Sequence, residues 1–174
     1  MKIGFVGSQG TGKTTLSYEL AAELKKRGHD VYVLSEVARS CPLPINEETT
    51  KESQLWIIGK QMTREQSAKG KIYVSDRTIL DPYCYGMRID PDFFKDFESF
   101  IKAYLRTYDY IFYMPPNDDY LMDDGTRSTD TKFRDEIDSL MKWNLDKLKA
   151  KYVTLDDNNV NVVLKHLGFK DVRN

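Results

Sequence analysis

Cysteine and histidine are nearly missing from this 174-residue chain, with two of each, Cys41, Cys84, His29 and His166, scattered along it. No pair has the spacing of a zinc ligand set, which excludes a structural zinc site and points to free thiols in a reducing compartment. An excess of one charge is missing too. Lys and Arg number 26 against 27 Asp and Glu, and a formal net charge of −1 leaves no electrostatic footprint for extended duplex binding. No apolar run approaches the ~18 residues needed to cross a bilayer, and the first residues show no signal-peptide pattern. The expected setting is the cytoplasm, or the host cytoplasm for a viral protein, with no membrane partner. Glycine (10) and proline (6) are sparse, and no repeat or low-complexity segment interrupts the chain. Its length suits one domain with a substantial core.

What is present is concentrated at the start. The hydrophobic run Lys2-Ile3-Gly4-Phe5-Val6 leads into Gly7-Ser8-Gln9-Gly10-Thr11-Gly12-Lys13-Thr14, a G-x-x-x-x-G-K-[ST] phosphate loop between a strand and a helix. The glycines let successive N–H groups turn inward around phosphates, and the following helix N-terminus adds partial positive charge. This predicts ATP with Mg²⁺ held by Gln9, Gly10, Thr11, Gly12, Lys13, Thr14 and Thr15. Lys13 would reach the β/γ-phosphates, and the Thr14 hydroxyl would ligate the metal.

Five short apolar strands alternate with helical patterns, which predicts an α/β domain of three layers around a mostly parallel sheet. Helices are expected over residues 47–68 and 92–107, the latter carrying Phe93, Phe97, Phe100, Ile101 and Tyr104 as a core stripe. Ligands of open parallel sheets bind beyond the carboxyl ends of the strands. The strand-end residues are therefore the candidates: Glu36, Asp76-Arg77, Pro115-Pro116 and Asp156-Asp157. Residues 81–89 are expected to help shape an acceptor pocket, with Tyr83 or Tyr85 available to stack on a ring.

The guanine-reading N-K-x-D motif is absent, which argues against a GTPase. ATPase motors carry an apolar strand ending Asp-Glu, whereas the matching strand here ends Val74-Ser75-Asp76-Arg77. A small phosphotransferase needs a carboxylate near the acceptor hydroxyl, a group supporting Mg²⁺, and arginines to stabilise the transferring phosphate. Glu36, Asp76, Arg39 and Arg77 supply these types. The polar stretch 117–136, with Arg127 and Arg134, is the expected lid.

Together, residues 7–15, Ser35-Glu36-Val37-Ala38-Arg39, Ser75-Asp76-Arg77 and Asp123-Asp124-Gly125-Thr126-Arg127 resemble the phosphate-loop nucleoside and nucleotide kinases. The resemblance is strongest to the NadR-type ribosylnicotinamide kinase domain and its bacteriophage relatives. It implies a sheet order of 2-3-1-4-5, with Glu36 activating the acceptor hydroxyl. It implies Asp76 supporting Mg²⁺, Arg77 orienting substrate, Arg127 acting from the lid, and Asp157 near adenine. No fused adenylyltransferase or DNA-binding segment is seen, so only the kinase part carries over. A nucleoside, nucleotide or nicotinamide riboside-like acceptor is the leading expectation. A polynucleotide end or hydroxymethylated base, and an ATP-binding regulatory module with little turnover, stand as alternatives. Oligomeric state is not legible.

Overall fold

A computed structural model describes residues 1–67, 72–120 and 128–169 of the chain. Five parallel strands, β1 Lys2–Val6, β2 Val31–Leu34, β3 Ile72–Ser75, β4 Tyr110–Tyr113 and β5 Val153–Thr154, form one sheet in the order β2-β3-β1-β4-β5. That is the expected order. β1 is apolar from Ile3 onward because it lies between β3 and β4 with both faces covered.

Alternation along the strands sends side chains to two cores. Ile3, Phe5 and Phe112 pack against α1 (Lys13–Lys26) and α7 (Val160–His166) through Leu16, Leu20, Leu24, Val163 and Leu164. Val6, Ile111 and Tyr113 face the other layer: α2 (Lys51–Gln66), α3 (Leu80–Ile89), α4 (Pro91–Phe94), α5 (Glu98–Leu105) and α6 (Thr131–Lys147). Among the described residues no helix is long and apolar enough to cross a membrane.

Three local features depart from expectation. The helix anticipated over 92–107 is broken into α4, a 3-10 turn Lys95–Phe97 and α5. The break lets Phe94 bury its ring against Gly86, where a Cβ would sit 2.4 Å from that ring. α2 starts at Lys51 because Thr50 and Ser53 form a capping box, each side chain bonded to the other's backbone N–H. α3 was not anticipated as a helix. Pro82 falls in its first turn, where a missing N–H costs nothing, and Asp81 folds back to accept the Thr78 N–H at 2.7 Å.

Of the expected lid, residues 121–127, including Arg127, lie outside the described residues. On one side stands a 3-10 turn Asp118–Tyr120. On the other, Asp130 caps α6 by accepting the N–H groups of Lys132 and Phe133 at 2.8 and 3.1 Å. Both cysteines are free: Cys84 is buried on α3, and Cys41 is half-buried just after the 3-10 turn Val37–Ser40.

Candidate active site

The turn from β1 into α1 depends on two glycines. A Cβ at Gly7 would meet the Met114 carbonyl oxygen at 2.4 Å, so β4 leaves no room for one. Gly12 sits at φ 80°, a left-handed conformation that side chains resist, immediately before α1. Lys13 is 5% exposed and folds back on the loop, donating to the Ser8 carbonyl and, at 2.9 Å, to Thr11 Oγ1. Burial, and then the charge of Arg77, lowers its pKa to about 8. Ser8 Oγ and Gln9 Nε2 are buried with no hydrogen-bond partner among the described residues. Orphaned polar atoms in a glycine-built concavity are what an anionic ligand would satisfy.

Thr14 opens α1 and donates from Oγ1 to Asp76 Oδ2 at 2.7 Å. Asp76, just beyond the end of β3, is 2% exposed, and burial together with the charge of Glu36 raises its pKa to about 6. One hydroxyl and one carboxylate form a sparse donor set. It suits Mg²⁺, which binds through one or two carboxylates plus substrate phosphates rather than an all-protein cage.

Arg77 follows with a backbone φ of 135°. Its carbonyl accepts from Ser75 Oγ at 2.5 Å and from Gln61 Nε2 at 3.3 Å. Its guanidinium donates from Nε to Glu36 Oε1 at 2.7 Å and from Nη1 to Asp81 Oδ1 at 3.3 Å. Arg39 holds the other Glu36 oxygen at 3.0 Å, with its own side chain 41% exposed. Burial opposes ionisation of Glu36, but Arg77, Lys13 and Arg39 outweigh it and hold its pKa below the ordinary value.

Two clefts meet at these residues. Residues 9–15 line the first, about 560 Å³, with Glu36, Asp76, Arg77 and Tyr120. The second, about 360 Å³, runs from Glu36, Arg77 and Asp81 to Tyr85, Gln54 and the apolar Ile45 and Ile57. Glu36 and Arg77 line both. A third, broad cleft includes Asp157, Asn158, Tyr120 and Arg134, and Asn158 Nδ2 donates to the Thr11 carbonyl at 2.9 Å. Arg134 is helical, in α6, and paired with Asp118 at 2.5 Å and Asp135 at 2.9 Å.

Tyr83 requires a correction. It is fully buried, in the core cluster that also holds Ile101 and Met141, and lines neither of the first two clefts. Tyr85, two residues on, faces the site and donates to Gln9 Oε1 at 3.2 Å. Gln54 was not anticipated from sequence, while Tyr120, Asp81 and Asn158 fell only within the broader segments 117–136, 81–89 and 156–159. Each is an isolated polar residue, with no motif to flag it.

A family model described as an AAA domain matches residues 2–161. The chain belongs to that family. In this AAA domain the position after Asp76, where a motor carries glutamate, is Arg77, and it is tied to Glu36. Over 99% of its length the chain is similar to the NadR protein in complex with NAD and AMP-PNP, at 21% identity and a TM-score of 0.73, though it spans 51% of that chain. It is similar to deoxyadenosine kinase from M. mycoides with dCMP and dCDP bound, at 17% identity and a TM-score of 0.62, covering 97% of this chain and 98% of that one. Thymidylate kinase from Ehrlichia chaffeensis aligns at 18% identity and a TM-score of 0.68, covering 96% and 98%. At these identities the likeness is one of fold, that of the phosphate-loop kinases. No curated protein matches the chain in sequence.

Proposed function

We propose that this chain is a kinase that transfers the γ-phosphoryl group of ATP to a hydroxyl or phosphate of a nucleoside, nucleotide or nicotinamide riboside-like acceptor. The observation that carries the reading is that Glu36 and Arg77 line both the phosphate-loop cleft and its neighbour. A water-activating ATPase has no use for a second pocket opening on the same carboxylate.

Residues 9–15 cradle the donor phosphates, and Lys13 swings from its own loop onto them as a point charge. Thr14 and Asp76 would hold Mg²⁺, which when bound would neutralise phosphate charge. Glu36, kept ionised by two arginines, accepts the proton of an acceptor hydroxyl lying in the second cleft. The acceptor oxygen bonds to the γ-phosphorus as the bond to the bridging oxygen breaks, and ADP leaves. Arg77 fixes the direction of Glu36 and adds positive charge where the transferring group becomes most anionic. Positioning and electrostatics are sufficient, and no covalent enzyme intermediate is required.

The test is ADP release with Mg²⁺ and ATP across a panel of deoxynucleosides, nucleoside monophosphates, nicotinamide riboside and oligonucleotides, with Lys13→Ala as the blank. Acceptor-dependent release that the variant abolishes is expected. Release that survives Lys13→Ala, or tight ATP binding with no response to any acceptor, would remove the reading.

A further inference from the structure

Resting on the kinase reading above, we infer that the acceptor carries no phosphate: it is a nucleoside-type polyol, neutral or cationic, rather than a nucleotide or a polynucleotide end. Among the described residues lining the second cleft, Arg77 is the only cation, and Glu36 and Asp81 are both carboxylates. That cation is already engaged by both, through Nε to Glu36 and Nη1 to Asp81. Asp81 also accepts from the Thr78 N–H at 2.7 Å and the Thr78 hydroxyl at 3.1 Å, an acceptor-only role that suits its ionised form.

Recognition of a phosphate dianion relies on charge-assisted donors, preferably an arginine fork presented to it. Here two nitrogens of the fork, Nε and Nη1, are already taken by acids. An acceptor phosphate would therefore meet two carboxylates, with Arg77 and the neighbouring Arg39 both already paired with Glu36. Lys13 offers no relief, because it is bonded within the phosphate loop and serves the donor side. The rest of the cleft suits an uncharged group. Gln54 is 3% exposed and contributes a neutral amide, while Ile45 and Ile57 form an apolar wall for a ring.

The deciding experiment compares kcat/KM of the full chain for each nucleoside, including nicotinamide riboside, with that for its own 5′-monophosphate. An oligonucleotide bearing a free 5′-hydroxyl is run alongside. At least one nucleoside is expected to stimulate ADP release, with its monophosphate about 100-fold poorer or worse. Raising the salt concentration is expected to narrow that gap, because it screens like-charge repulsion. A monophosphate or oligonucleotide that equals or exceeds the nucleoside overturns the inference while leaving the kinase reading intact. A gap indifferent to salt overturns the charge argument. Intact Mg²⁺·ATP binding with no stimulation by any acceptor overturns the inference and the kinase reading together.

Discussion

Arg77 grips Glu36 through a 2.7 Å hydrogen bond from Nε while its own backbone is held at φ 135°. Few non-glycine residues adopt that conformation, which costs on the order of 1–3 kcal/mol. It persists because Ser75 and Gln61 both donate to the Arg77 carbonyl, fixing the peptide from behind. The strain aims the guanidinium across the end of the sheet at a carboxylate just beyond a different strand, β2.

Lysine cannot reproduce that fork. Arg77→Lys is expected to lower kcat for acceptor-dependent ADP release by roughly 10²–10³-fold, with little change in Mg²⁺·ATP affinity. Steady-state kinetics beside a nucleotide titration separate the two effects. A variant with unchanged kcat would show that Glu36 needs no such partner.

Asp76 links activity to pH. Its folded pKa of about 6 lies above the ordinary 3.8, so the folded chain binds this proton more tightly than the unfolded chain. The stability it contributes is present below 3.8, is lost as pH rises through 6, and stays lost above. Asp76→Asn is therefore expected to raise the nucleotide-free melting temperature at neutral pH by a few degrees, about 1–2 kcal/mol. Mg²⁺ competes with the proton, so the Mg²⁺ concentration needed for half-maximal activity should climb as pH falls below about 6. A requirement that stays flat across that range would dissociate Asp76 from the metal.

Glu65 centres a second buried cluster, joined to the Arg77 carbonyl through Gln61 Nε2. Its side chain is 2% exposed and is bound by Lys2 Nζ at 2.5 Å, Tyr104 at 2.7 Å, Tyr108 at 2.5 Å and Gln61 at 2.8 Å. Glu65→Ala removes the acceptor these four donors share and is expected to cost about 3–5 kcal/mol. Tyr108→Phe removes one bond and should cost about 1–2 kcal/mol. Urea unfolding would show both as lower midpoints with unchanged slope, and equal losses would refute the cluster as a shared hub.

The two tyrosines of α3 give a paired prediction. The Tyr83 hydroxyl is buried without a partner, so Tyr83→Phe should be neutral or stabilising and leave kinetics untouched. Tyr85→Phe releases Gln9 at the junction of the clefts and should raise KM for the acceptor several-fold. Thermal melts and acceptor titrations on both variants provide the check. A kinetic effect confined to Tyr83→Phe would reverse the placement.

The strands were legible because strand hydrophobicity and the phosphate loop are local signals, whereas their order was an expectation carried by the resemblance to the phosphate-loop kinases. The positions of Glu36, Asp76 and Arg77 followed from their places at strand ends. Their mutual contacts did not, since the Arg77–Glu36 bond spans 41 residues of sequence. α3 was missed because Asp81-Pro82 looks like a break, although proline is harmless in a first turn. Without the helix there was no period to tell Tyr83 from Tyr85. Trp143, which fits no apolar stripe, is half exposed, with the Lys147 ammonium 4.6 Å from its ring centre.

The unequal cysteines make the native chain its own reporter. Cys84 is sealed between α3 and α6, its thiol pKa pushed well up by burial, and so resists alkylation while the fold is intact. Cys41 lies partly open, two residues beyond Arg39 and four before Ile45 on the cleft wall. A maleimide dye added to unmodified protein would therefore label Cys41 and spare Cys84, placing one reporter on the segment between Ala38 and Ile45, two residues of the second cleft, without any engineered residue.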